Sequence, residues 1–141
     1  MLAAECFVVA DTLPFSRQSW QNRTKIRTPD EQGRQWLTVP RKHGATDKAL
    51  NALELDASTP WARTHLRALH VNYSMAPFFE RHAEDIEALL GEPYSSLGAL
   101  TVVAVKWVHE KISGPSELLV ASELTGAPDT LECVWEALGG C

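Results

Sequence analysis

The chain has 141 residues, of which 45% are apolar, enough for one globular domain across residues 1–141 with a core between two or three layers of secondary structure. No run of about 18 uncharged apolar residues occurs, and the opening MLAAECFVVAD meets Glu5 and Asp11 where a signal peptide needs an unbroken apolar core; membrane insertion and secretion are therefore not expected, and the chain reads as cytoplasmic. The formal charge of -5 is divided unevenly: residues 1–50 carry eight Lys/Arg against five Asp/Glu and residues 51–141 five against thirteen, a narrow basic region that excludes a general nucleic-acid binder and suits a small anion such as a phosphate or carboxylate.

In chain order, CFVVAD reads as a buried strand that delivers Asp11 to its C-terminal edge. The loop TLPFSRQS follows, held open by Pro14. RTKIRT and RQWLTVP each alternate polar and apolar residues around PDEQG, where Gly33 is available for positive φ; the pair predicts a β-hairpin. Ile26, either Trp36 or Leu37, and Val39 are expected to face the core, with Arg23, Lys25 and Arg27 on the opposite face. RKHGATDK is a polar connection, and ALNALELD suggests a short strand at Leu53–Leu55. Helical spacing then dominates. STPWARTHLRALHVNY has a Ser58 or Thr59 cap and Pro60 at the first helical position; APFFERHAEDIEALLG starts at Pro77 and stops at Gly91. SSLGALTVVAVKWVHEKISG is uncharged through its middle and predicts a buried helix against a sheet. ELLVASEL reads as a strand, and APDTLECVWEALGG as a capped helix with glycines past its end. The element order predicts a single α/β domain in which a mixed sheet containing the hairpin is packed by about four helices.

Asn22 and Arg23 are the leading site candidates, because a guanidinium fork and an amide beside a strand end can hold a phosphate or carboxylate. The competing reading is an edge strand kept apart from other sheets by its charges. Trp20 is either a lid or stacking surface for a base or sugar ring, or a core plug. Asp11, at a strand end, could orient a hydroxyl or a proton, or pair with Arg17 or Arg23. Ser122 and Glu123 end the other strand in the same way, so parallel neighbouring strands would bring these side chains to one crevice. His65 lies on the apolar stripe of its helix, as a general base needing a carboxylate orienter such as Asp11 or Glu123, or as a core histidine. His70, His82 and His109 read as helix-surface residues. No metal is expected, since no histidine pair has zinc spacing with a third ligand nearby. Cys6, Cys133 and Cys141 are odd in number and far apart, which points to reduced, mostly buried thiols. Ser16, Ser19 and Ser122 are not in a Gly-x-Ser-x-Gly elbow, so a hydrolase triad is not supported. Gly-rich phosphate loops are missing, and no cofactor is expected.

The blocks CFVVAD, SRQSWQNRTKI, RQWLTVPR, PWARTHLRAL, NYSMAPFFE and LLVASEL, in this order, resemble the WbqC-like family of bacterial proteins, often encoded among genes for O-antigen and other surface-polysaccharide assembly. The resemblance implies group transfer, acyl or aminoacyl, in sugar modification on a nucleotide-linked or other anionic substrate, with a histidine at the place of His65. Catalytic roles then fall to Asp11, His65 and Glu123, and substrate binding to Trp20, Asn22, Arg23 and Ser122. The family usually carries a Gln-Pro strand and a Gly-Tyr-Phe helix before the first matched strand and a YLSG strand after the last helix, so the chain reads as a form truncated at both ends. The family's paired acids appear as Asp11 and Thr12, and Pro14 replaces a common Gln. The alternative is a shortened, inactive relative acting as a ligand-binding or assembly module. This alternative rests on missing strands that leave sheet edges for self-pairing, and a homodimer is expected.

Overall fold

A computed structural model describes residues 5–17, 19–42, 48–112 and 116–139. Cys141 and most of the polar connection RKHGATDK lie outside the described residues. The fold is mixed α/β, as expected, with four helices and four strands among the described residues. Strand β1 (Cys6–Val9) pairs in parallel with β4 (Glu117–Val120), Val9 opposite Val120. Strands β2 (Arg23–Arg27) and β3 (Arg34–Thr38) form a separate antiparallel hairpin, with Lys25 opposite Trp36. Its connection is built from side chains: the Asp30 carboxylate accepts from the Thr28 hydroxyl at 2.8 Å and the Gly33 N–H at 2.9 Å, and Gly33 adopts φ 64°.

Between Trp36 and Leu37, the hairpin buries Leu37, beside Ile26 and Ala68 of helix α1 (Trp61–Tyr73). Trp36 is turned outward, because Ile26 and Gln35 are register partners and period-2 alternation puts Leu37 on the Ile26 side. Neither Ser58 nor Thr59 caps α1. Both hydroxyls turn back to Asp56 instead, Ser58 to its carboxylate at 2.6 Å and Thr59 to its carbonyl at 3.2 Å. Helix α2 is Phe79–Gly91, starting two residues after Pro77 because Ala76 and Phe79 first close turns onto Tyr73 and Ala76. Helix α4 (Leu131–Ala137) is capped by the Thr130 hydroxyl, which accepts from the Cys133 N–H at 3.1 Å. Cys133 is exposed and Cys6 half-buried, both free, so these thiols are not core residues.

The main core gathers Phe15, Leu50, Leu53, Leu55, Leu97 and Leu100 around fully buried Leu53. Residues 48–56 run through it as a strap. They accept from Phe15 N–H (Lys48 carbonyl, 2.9 Å), donate to the first loop (Asn51 N–H to Asp11 carbonyl, 2.8 Å), and accept from helix α3 (Leu97–Ile112) through Leu97 N–H to the Leu53 carbonyl at 2.8 Å. The expected strand at Leu53–Leu55 is thus two single bridges, Glu54 to Ser96 and Leu55 to Arg41. Helix α3 is buried only in its first turn, at Leu97, Gly98 and Leu100. Val103, Val108 and Ile112 stay about 40% exposed, so its apolar sequence does not make it a buried helix. The chain exposes 9524 Å², against roughly 7,200 Å² for a compact monomer of its mass. No helix among the described residues is long and apolar enough to cross a membrane.

At Gly98 an added Cβ would come within 2.6 Å of both N and Cα of Asn51 and 2.8 Å of the Leu50 carbonyl carbon, all backbone atoms that cannot rotate away. Gly98→Ala is therefore expected to lower the free energy of unfolding by about 1–3 kcal/mol in a urea titration. Gly91→Ala, where nothing lies within 4 Å, leaves stability unchanged or raises it by up to about 1 kcal/mol.

Candidate functional site: an arginine-lined cavity beside His65

The two parallel strands bring Asp11 and Ser122 together. Asp11 is 5% exposed, and its carboxylate accepts from the Ser122 N–H at 2.9 Å and the Ser122 hydroxyl at 2.7 Å. Both carboxylate oxygens are engaged within the protein, in charge-assisted bonds worth about 1.5–3 kcal/mol each. The neighbouring Thr12 hydroxyl donates to the Pro128 carbonyl. Asp11 thus clasps the β1 and β4 loops to each other and pairs with neither Arg17 nor Arg23. Glu123 points to Lys106 at 3.5 Å with both side chains largely exposed, a contact that stabilises little. Neither acid lines the cavities that Arg23 opens onto.

Arg23 opens onto a cavity of about 520 Å³ that also receives Arg17 and Arg41, with Asn22, Ser19 and Phe15. None of the three guanidinium groups forms a salt bridge among the described residues. Each arginine reaches the cavity from a different segment. Arg17 leaves a loop tied by Gln21, whose side-chain oxygen accepts from the Ser16 N–H at 2.7 Å and the Ser19 hydroxyl at 3.0 Å. Arg41 is set by its bridge to Leu55, and its guanidinium lies 5.0 Å from the Phe15 ring centre. Arg23 lies 4.5 Å over the Trp36 ring. Lys25 shares that ring at 4.6 Å and meets Trp20 at 5.3 Å, while the two indoles sit 4.9 Å apart. The outward face of the hairpin is therefore an aromatic–cation stack, held by attraction to the ring quadrupoles. Asn22 is mainly a hairpin pin: one side-chain N–H goes to the Val39 carbonyl at 3.0 Å, and the Val39 N–H returns to the Asn22 carbonyl at 2.8 Å.

A second cavity, about 350 Å³ and mostly apolar, shares Asn22 and Arg23 with the first, is also lined by Trp20, and lies between the hairpin and α1–α3. His65 lines it and is 7% exposed. Its Nε2 lies 3.1 Å from the carbonyl of Thr38, the residue paired with Arg23 across the hairpin. A carbonyl can only accept, so Nε2 carries the proton and Nδ1 keeps its lone pair. The orienter is this backbone carbonyl, not Asp11 or Glu123. Burial pushes the His65 pKa below 6.5, with the Thr38 carbonyl opposing that shift, so the ring is neutral at neutral pH. Trp61 packs edge-on at 5.4 Å.

Sequence reasoning missed Arg41 as a site residue and Arg17 as a cavity residue. The signal for Arg41 was its place directly after the strand-ending Pro40; for Arg17, an exposed loop residue, there was no local signal. His82 and His109 are half-buried rather than surface residues: His82 packs edge-on to Trp107 at 5.9 Å and has an unpartnered buried Nδ1, and His109 Nε2 meets the Ser116 hydroxyl at 3.0 Å. Among the described residues no three His, Cys, Asp or Glu side chains are placed to hold a metal ion.

Two outcomes test this geometry. Asp11→Ala is expected to cost about 3–6 kcal/mol of unfolding free energy and Ser122→Ala about 1.5–3, read by denaturant titration, because the first loses both bonds and the second only the hydroxyl. His65 binds its proton more weakly folded than unfolded. Between its depressed folded pKa and about 6.5 the unfolded chain holds more protons, so stability falls as pH drops through that window. His65→Gln should remove that part of the slope in unfolding titrations taken at successive pH values.

The sequence profile of the WbqC-like protein family matches residues 1–138. The chain is also similar to the uncharacterized protein Rv1507c of Mycobacterium tuberculosis, with 32% identity over 130 residues, covering 80% of this chain and 55% of that protein. It therefore spans little more than half the length of this relative. No solved structure matches it. With nearly its whole length inside the profile, the chain belongs to the WbqC-like protein family.

Proposed function

We propose that the arginine-lined cavity binds the phosphate or carboxylate of a sugar-linked or nucleotide-linked substrate, and that the chain serves acyl or aminoacyl transfer to that sugar in surface-polysaccharide modification. The observation that carries this reading is the convergence of Arg17, Arg23 and Arg41 on one cavity without carboxylate partners among the described residues. Three cations facing one another repel, and a bound anion turns that repulsion into attraction. Held guanidinium groups suit this task, and ring stacking limits the freedom of Arg23 and Arg41.

His65 supports the transfer half of the proposal. Its free Nδ1 can take the proton of an acceptor hydroxyl or amine as that atom bonds to the acyl carbonyl carbon. The same proton then passes to the leaving group as its bond to that carbon breaks. Asp11 and Glu123 have no part in this step. Asp11 holds the floor of the fold, and Glu123 faces Lys106.

A thermal-shift and calorimetric screen of nucleotide sugars and acyl donors tests the reading. The parent protein should be stabilised by at least one anionic member, more weakly at high salt. Arg23→Ala should weaken that binding roughly 10- to 100-fold, the value of a charge-assisted contact. No stabilisation by any member, with Arg23→Ala indistinguishable from the parent, would overturn it.

A further inference from the structure

The two cavities differ in kind yet share a rim. The outer one has a mixed polar and apolar lining and holds the three arginines; the inner one, about 350 Å³, is mostly apolar and walled by Leu37, Leu69, Leu89, Leu97, Leu100 and Ala104. Asn22 and Arg23 belong to both. A small polar anion would fill the first and leave the second to water, against walls that offer it few partners. A purely apolar ligand would fill the second and leave three guanidinium groups unanswered. Only a molecule with both characters satisfies the pair.

Resting on the anion-site reading above, we propose that the site takes a small amphiphilic anion: a phosphate- or carboxylate-type head held by Arg17, Arg23 and Arg41, joined to an apolar chain that enters the cavity between the hairpin and α1–α3. The substrate class narrows accordingly, from any anionic sugar derivative to one carrying an apolar group. His65 sits on the wall of the inner cavity, on the side where the apolar chain would lie. Trp20, 59% exposed, lines the inner cavity next to the shared Asn22 and Arg23. The volume sets a limit, because a cavity of this size lies at the low end for small-molecule sites and admits a short chain, not a long lipid.

Calorimetry on the intact chain with inorganic phosphate, butyl, hexyl and octyl phosphate below their micelle concentrations, and octyltrimethylammonium, tests the inference. Affinity should climb along the phosphate series by up to about fourfold per methylene, and by roughly tenfold or more from butyl to octyl, as the chain leaves water. Octyltrimethylammonium, with the same tail and the opposite head charge, should bind far more weakly. Ala104→Trp fills the inner cavity and should flatten the ratio of octyl phosphate to phosphate affinity. As a check that needs no variant, an alkyl phosphate with a diazirine at its tail should label α2 and α3 near Leu89 and Leu97–Val105, located by mass spectrometry of the digest. A flat chain-length series with phosphate still bound overturns this inference and leaves the anion site standing. Equal binding of the cationic amphiphile, or labelling elsewhere, also overturns it. Failure of every phosphate to bind removes both readings.

Discussion

The strap at residues 48–56 is the constraint on which the rest of the molecule depends. Neither pair of strands is large enough to support a domain, since an isolated two-stranded ribbon is marginal in water. What joins them is one stretch whose backbone groups are shared among three neighbours. Leu50 and Asn51 donate to the loop after β1, Glu54 and Asp56 exchange bonds with residues 40–42 after β3, and the Leu53 carbonyl receives the first turn of α3. Leu53 and Leu97 meet at the centre of this junction, both almost fully buried. Gly98 lets the helix approach the strap closely enough for that packing.

The same junction explains where the basic residues go. By tying the first loop and the residues after β3 to one backbone, the strap holds Phe15 and Arg41 in contact and brings Arg17 to the same opening. Arg23 comes from the hairpin, whose outward cations are occupied with Trp20 and Trp36. The question of whether these charges guard an edge or hold a ligand therefore divides along the strand. Arg27 is exposed, Lys25 and Arg23 both stack on Trp36 on the outer face, and Arg23, at the end beside Asn22, also lines a cavity. Among the described residues, none of the three arginines is paired with a carboxylate of the acidic second half of the chain.

Much of this was legible in the residue order, and the parts that were not share a physical cause. The hairpin follows from period-2 alternation and the Asp30–Gly33 turn chemistry; the helices follow from 3.6-residue spacing and their Pro and Gly boundaries. Parallel pairing of β1 with β4, the condition on which a shared crevice depended, does occur and joins Asp11 to Ser122, but mutual satisfaction of these two groups was the outcome rather than an open crevice. Adjacent apolar residues, Trp36 and Leu37, left the facing of the hairpin open until the register was known. Helix α3 misled because apolarity reports what a segment can bury, whereas its neighbours decide what it does bury. The strap and the arginine cluster were least legible: each rests on contacts between segments tens of residues apart, and no local pattern encodes them.

Sharing so many backbone bonds in one stretch also shapes how the domain opens. In most proteins a loop or hairpin can detach and exchange its amide protons while the core stays closed. Here the donors of Leu50, Asn51 and Leu97 and the acceptors at Lys48, Leu53 and Glu54 lie along one short path, so releasing it frees the loop, the hairpin end and the long helix together. The residues that place Phe15 and Arg41 and the core around Leu53 thus open together or not at all.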